Sequence, residues 1–178
     1  NGIVEMINER DNAYDFKYAP GVFIPLFEKN GFVTSIDLFI FEEVCRFQRK
    51  CIDEGIPLVP ISVNASRYDL QNPDYLERLE TIRKEYDVPV RLLRIEITES
   101  STIGGSESVA AIVNKMHELG YMVEMDDFGS GYSSLNVLKD IPVDIIKMDM
   151  RFWKGEIGGR GGVIISSVAR MAKWLGNP

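Results

Sequence analysis

The sequence predicts an α/β fold built on a parallel sheet. Two observations carry that expectation. Short apolar runs alternate with helix-length amphipathic segments along the 178 residues. The polar residues that interrupt the apolar runs fall at their C-terminal ends. Alternation of apolar strands with helices is the pattern of parallel strands joined by crossover connections. At 45% hydrophobic and 26% charged residues, the composition is that of a globular chain long enough for one sizeable core.

The elements follow in order. Residues 2–7 read as a first strand, and a turn-rich stretch runs on to Pro20-Gly21. Residues 23–29 form a short amphipathic helix stopped by Asn30-Gly31, where asparagine or glycine takes the C-cap position. Thr34 or Ser35 caps a longer helix with Ile36, Phe39, Ile40, Val44 and Phe47 as its core face, ending near Gly55. Residues 58–63 are the second strand, ending at Asn64, and Asn72-Pro73 opens a helix carrying Tyr75, Leu76, Leu79 and Ile82. Residues 92–98 are the third strand, ending in Glu99. Ser106 then caps a helix whose inner face is Val109, Ile112, Val113 and Met116, with Gly120 at its end. A fourth strand at 121–126, a short helix at 133–139, a fifth strand at 143–149 and a helix at 163–175 complete the chain, with a Gly-rich stretch at 155–162 before the last. A closed (β/α) barrel and an open doubly wound sheet both satisfy this order. No Gly-rich fingerprint follows the first strand, which weighs against a dinucleotide-binding open sheet.

Composition narrows the chemistry. The net charge of −7 argues against a groove that binds DNA or RNA through charge. The two cysteines, Cys45 and Cys51, form no CxxC pair and His117 is the single histidine, so zinc is not expected. Two free thiols suit a reducing compartment. No signal peptide and no membrane-length apolar run are visible, and the expected location is cytoplasmic.

The polar residues at the strand ends are the functional signal. Glu5 lies in the first strand, Asn64 ends the second, Glu96 and Glu99 the third, Asp126 and Asp127 the fourth, and Lys147 and Asp149 the fifth. Parallel strands bring their C-terminal ends to one rim, where α/β barrels build their active sites. Unpaired buried charges are costly, so stability alone does not explain such a set. Carboxylates and one amide are hard oxygen donors suited to Mg²⁺, Mn²⁺ or Ca²⁺. The number of carboxylates points to two ions, the usual device for hydrolysing phosphodiesters. Lys147 would add positive charge or hold the attacking water. His117 is expected on an exposed helix face, and Glu124, two residues before Asp126 on the same strand face, needs a partner such as Lys147.

The motifs Ser62-Val63-Asn64-Ala65-Ser66, Glu96-Ile97-Thr98-Glu99-Ser100, Asp126-Asp127-Phe128-Gly129-Ser130-Gly131-Tyr132-Ser133-Ser134-Leu135 and Lys147-Met148-Asp149 together resemble the EAL domain family. These are bacterial cyclic di-GMP phosphodiesterases on a TIM-like (β/α) barrel. Phe23-Ile24-Pro25 fits the same family, and the resemblance runs over nearly the whole chain. It implies that Asn64, Glu96 and Asp126 ligate metal, that Asp127 bridges the ions or binds the second one, and that Glu99 steadies the loop at 128–134. It further implies that Lys147 sits by the hydrolytic water, with Asp149 behind the ligands. The cofactor implied is Mg²⁺ or Mn²⁺, two ions, and the ligand cyclic di-GMP. The signature motif falls at Glu5-Met6-Ile7, with the metal-binding glutamate kept and its two apolar neighbours changed. Glu9 stands where the family commonly has an arginine that contacts substrate phosphate.

The resemblance also implies a single domain over 1–178 that lacks the barrel's first strand and its last strands, together with a later catalytic glutamate. On that reading the piece alone is inactive and the complete domain is the enzyme. The alternative is an impaired domain that serves as a cyclic di-GMP receptor or a protein-interaction module. Members of the family often dimerise or carry sensor or cyclase domains. A homodimer and such additional domains are therefore expected partners, and no membrane contact is expected from this segment.

Overall fold

The computed structural model of the chain describes residues 20–102, 105–129, 134–149 and 160–174. The first predicted strand with Glu5, and Glu9 in the turn-rich stretch after it, lie outside the described residues. The chain forms two compact units, Asn1–Val33 and Thr34–Pro178. In the first, helix α1 spans Pro20–Lys29. Proline suits a first helical position, where its missing N–H would have no helical partner. The helix closes at Gly31, whose φ of +73° suits a residue without a Cβ. The Phe32 N–H returns to the Phe27 carbonyl at 2.9 Å, and the two rings meet 5.5 Å apart.

The second unit carries α2 (Val33–Asp53), β1 (Ile61–Asn64), α3 (Arg67–Gln71), α4 (Tyr75–Glu85), β2 (Leu93–Thr98), α5 (Ser106–Glu118), β3 (Met122–Phe128), α6 (Ser134–Asp140), β4 (Ile145–Met148) and α7 (Arg160–Trp174). The strands pair in the order β1-β2-β3-β4, all parallel. In β2 the sequence Leu-Arg-Ile-Glu-Ile-Thr alternates, so Leu93, Ile95 and Ile97 are buried and Arg94, Glu96 and Thr98 are half-buried. Val63, Val123 and Met125 join the buried set. This apolar side packs into one core with Leu38, Phe41 and Cys45 of α2, Tyr75 and Leu79 of α4, and Val109, Val113 and Met116 of α5. The alternate positions, Ser62 and Asn64 on β1, Arg94 and Glu96 on β2, and Glu124 and Asp126 on β3, share the opposite side.

Two expectations are corrected. The core side of α2 is Leu38, Phe41, Cys45 and Gln48, whereas Phe39 and Phe47 are exposed, Phe47 at 56%. Ile40 and Val44 pack partly against the core. The helix carries two apolar stripes, and the stripe that faces the sheet includes polar Gln48. Its amide donates to the Val59 carbonyl at 2.8 Å and the Leu92 carbonyl at 3.4 Å, so burial leaves no donor unmet. His117 is half-buried and partnered rather than fully solvated. Its Nε2 lies 2.9 Å from Asp144 Oδ2, an oxygen that also accepts the Val123 N–H at 2.7 Å. The pair ties the end of α5 to the start of β3 and the entry to β4.

Helix α3 is an element that helical periodicity does not reveal. Ser66 and Asp69 form a capping box that starts it: the Asp69 carboxylate accepts the Ser66 N–H at 2.7 Å and hydroxyl at 2.6 Å, satisfying groups the helix start would leave open. Cys45 and Cys51 are buried free thiols, and burial raises the Cys45 thiol to about 12.

Candidate active site

Register sets the site. Asn64 pairs with Glu96, Glu96 with Glu124, and Thr98 with Asp126. Three strands therefore deliver an amide, a glutamate and an aspartate to neighbouring positions at their C-terminal ends. The Glu96 and Asp126 carboxyls lie close enough to interact. Burial, together with the nearby Asp126 carboxyl, raises Glu96 above the ordinary carboxylate range despite the opposing pull of Lys147. Lys147 on β4 reaches across β3 to Glu96 Oε2 at 2.5 Å and Glu124 Oε2 at 2.8 Å. Burial disfavours its charge, but Glu124 and Glu96 outweigh that and raise its pKa, so the ammonium stays protonated.

The aspartate pair sits on an irregularity. Met125 pairs with Ile146 and Phe128 with Met148, so β3 spends one more residue than β4 over the same span. The extra residue is a β-bulge, and Asp127 takes a left-handed φ of 54°. Aspartate tolerates that region better than most side chains, and bulges of this kind redirect side chains next to active sites. Asp126 is half-buried and Asp127 exposed.

Glu99 opens a 3₁₀ turn, Glu99–Thr102, directly after β2. It is buried, and its Oε2 accepts the Gly129 N–H at 2.9 Å. Gly129 takes φ +89°, a conformation suited to a residue without a Cβ. The glutamate thus grips the Gly-rich stretch at its first residue. Residues 130–133 lie outside the described residues. Asp149 is buried just after β4, its N–H bonded to the Phe128 carbonyl at 3.1 Å.

The donor set gathered here is hard: two adjacent carboxyls, Glu96 and Asp126, with the Asn64 amide one strand over. Such donors fit Mg²⁺ or Mn²⁺ as part of a coordination shell. Among the described residues no three histidine, cysteine, aspartate or glutamate side chains stand together as a metal-holding group. Of the other expected ligands, Asp127 is exposed at the bulge, and Glu5 lies outside the described residues. Arg94 is a participant that the sequence reading misses: it pairs with Glu124 at 2.8 Å. Its position two residues before Glu96, on the same strand face, is the available signal.

Together these features define a parallel α/β domain with an acidic, lysine-bearing rim at the strand ends. The EAL domain family model matches residues 8–178, and the chain belongs to that family. Its fold is the family's TIM-like (β/α) barrel, of which the described four-stranded sheet is a part. The match starts three residues after Glu5. Among curated relatives, the signaling protein YkoW of Bacillus subtilis is 34% identical over 133 residues, 75% of this chain and 16% of its own length. The cyclic di-GMP phosphodiesterase PA2567 of Pseudomonas aeruginosa is 29% identical over 159 residues, 89% of this chain and 27% of its own length. The chain therefore spans under a third of either relative. A solved structure of the PaMucR phosphodiesterase in complex with c-di-GMP superposes with a TM-score of 0.79 at 26% identity. That match covers 89% of this chain and 69% of the other.

Proposed function

We propose that this chain forms part of a metal-dependent phosphodiesterase domain that hydrolyses cyclic di-GMP to linear pGpG. The single observation that carries the reading is the convergence of Glu96, Asp126 and Lys147 at one point of the rim, in a family whose relatives include named cyclic di-GMP phosphodiesterases. Asn64, Glu96 and Asp126, with Asp127 and Glu5, would hold two Mg²⁺ or Mn²⁺ ions. When bound, these ions supply an activated water and neutralise charge on the phosphoryl oxygens. Lys147, held by Glu96 and Glu124, would supply a fixed positive charge at the same rim. Glu99 holds Gly129 and so shapes the loop that follows the aspartates, and Asp149 backs the rim from the end of β4. A cytoplasmic location, a homodimer and attached sensor or cyclase domains complete the proposal. Among the described residues no helix is long and apolar enough to cross a membrane.

A second reading is a receptor that binds cyclic di-GMP without turnover. It is favoured by Glu9 at the usual phosphate-contact position and by the altered Glu5-Met6-Ile7 signature. Incubation of the intact protein with cyclic di-GMP and Mn²⁺, with chromatography of the products, separates the two. Formation of pGpG supports the enzyme. A folded protein that binds cyclic di-GMP and yields no product overturns it in favour of the receptor.

A further inference from the structure

Glu124 has no part in the roles assigned above, yet it is the most enclosed charge beside the rim, at 1% exposure. Its Oε1 accepts from Arg94 Nη1 of β2 at 2.8 Å, and its Oε2 accepts from Ser62 Oγ of β1 at 2.8 Å. Lys147 Nζ of β4 lies 2.8 Å from the same Oε2. One carboxylate on β3 thus links all four strands of the sheet. Burial opposes its charge, but Lys147, Ser62 and Arg94 outweigh that and hold it below the ordinary range.

Lys147 spans two carboxylates of different character. Glu96 borders Asp126 and stands in the donor set that fits a divalent ion. Glu124 is already committed to donors from its other strands. A divalent ion on Glu96 and an ammonium on Glu96 compete for the same oxygens and repel each other. A lysine held by Glu96 alone would therefore oppose the ion. Glu124, level with Glu96 in the register, offers a second anchor that no ion has to displace.

We propose that Glu124 is the positioning residue for Lys147, holding its ammonium in place while Glu96 turns to a divalent ion. Arg94 and Ser62 hold Glu124 in turn. The inference rests on the phosphodiesterase reading above. Were Glu124 only the counter-charge of Arg94, its loss would lower stability and leave metal affinity per folded molecule unchanged.

The test titrates Mn²⁺ alone into the intact protein by calorimetry and measures cyclic di-GMP turnover on the same samples. Glu124→Gln keeps the shape and the Ser62 bond but weakens the anchor, so Lys147 settles on Glu96. Mn²⁺ affinity and kcat should each fall about tenfold, within the range for directly contacting residues, with KM little changed. In a Lys147→Met background the same substitution should leave Mn²⁺ affinity unaltered, because there is no ammonium left to misplace. Should Glu124→Gln fail to fold, Arg94→Gln/Glu124→Gln removes the buried charges together and should show the same Mn²⁺ loss. Unchanged Mn²⁺ affinity in the folded variant, or an equal loss in the Lys147→Met background, overturns the role of Glu124. A wild-type protein that binds no Mn²⁺ and forms no product overturns the phosphodiesterase reading and this inference with it.

Discussion

Asp37→Asn is the sharpest test of how the chain behind Asn64 is held. Asp37 on α2 and Asp69 on α3 are both buried, Asp69 completely. Burial, then the hydrogen bond and charge of Asp69, raise Asp37 from 3.8 to about 8. Asp69 meanwhile accepts the N–H of Ser66, the N-cap two residues after Asn64. At neutral pH Asp37 therefore keeps its proton. The unfolded chain releases that proton near pH 4 and the folded protein near pH 8. The contribution to stability is therefore complete below about pH 4 and is lost as pH rises toward 8. A tenfold difference in proton affinity between the folded and unfolded chain is worth roughly 1.4 kcal/mol, so the whole window is worth on the order of 5 kcal/mol at most. Asparagine keeps a donor and never ionises. Urea unfolding of wild type and Asp37→Asn at pH 5, 7 and 9 should show the wild type losing ground by several kcal/mol while the variant stays nearly flat. Parallel curves across that range would refute the retained-proton reasoning.

Other predictions are simpler to read. Phe41→Ala on the buried side of α2 should cost about 3–5 kcal/mol. Phe47→Ser on the exposed side should stay within about 0.5 kcal/mol, and urea midpoints decide between the two sides. Glu99→Gln replaces a charge-assisted bond to Gly129 with a neutral one. It should lower stability by about 1–2 kcal/mol and reduce turnover, read by thermal melting and by product formation. Chelation with EDTA should abolish product formation, and added Mn²⁺ should restore it; activity that persists without divalent ions would contradict the metal role.

Much of the sheet was legible because strand period and crossover spacing are local signals. Leu93, Ile95 and Ile97 alternate with Arg94, Glu96 and Thr98, and the rim residues follow from parallel order alone. The choice of face on α2 was not legible, since Phe39 and Phe47 are as apolar as Leu38 and Phe41. Packing against the sheet, and the hydrogen bonds available to Gln48, decided it. The bulge at Asp127 depends on pairing with β4, which the Asp-Asp-Phe-Gly run does not encode by itself. The Ser66–Asp69 capping box was readable in principle, as a serine followed three residues later by an acid. The His117–Asp144 pair joins residues 27 apart, beyond the reach of helix periodicity.

Asp126→Asn removes one carboxylate from the rim where the ions would bind. In the intact protein with Mn²⁺, wild type should convert cyclic di-GMP to pGpG. The variant should retain its melting temperature and lose at least about a hundredfold in kcat, of the order seen when a metal site's support is removed. Undiminished pGpG formation by a folded Asp126→Asn protein would contradict the placement of the metal site on this rim.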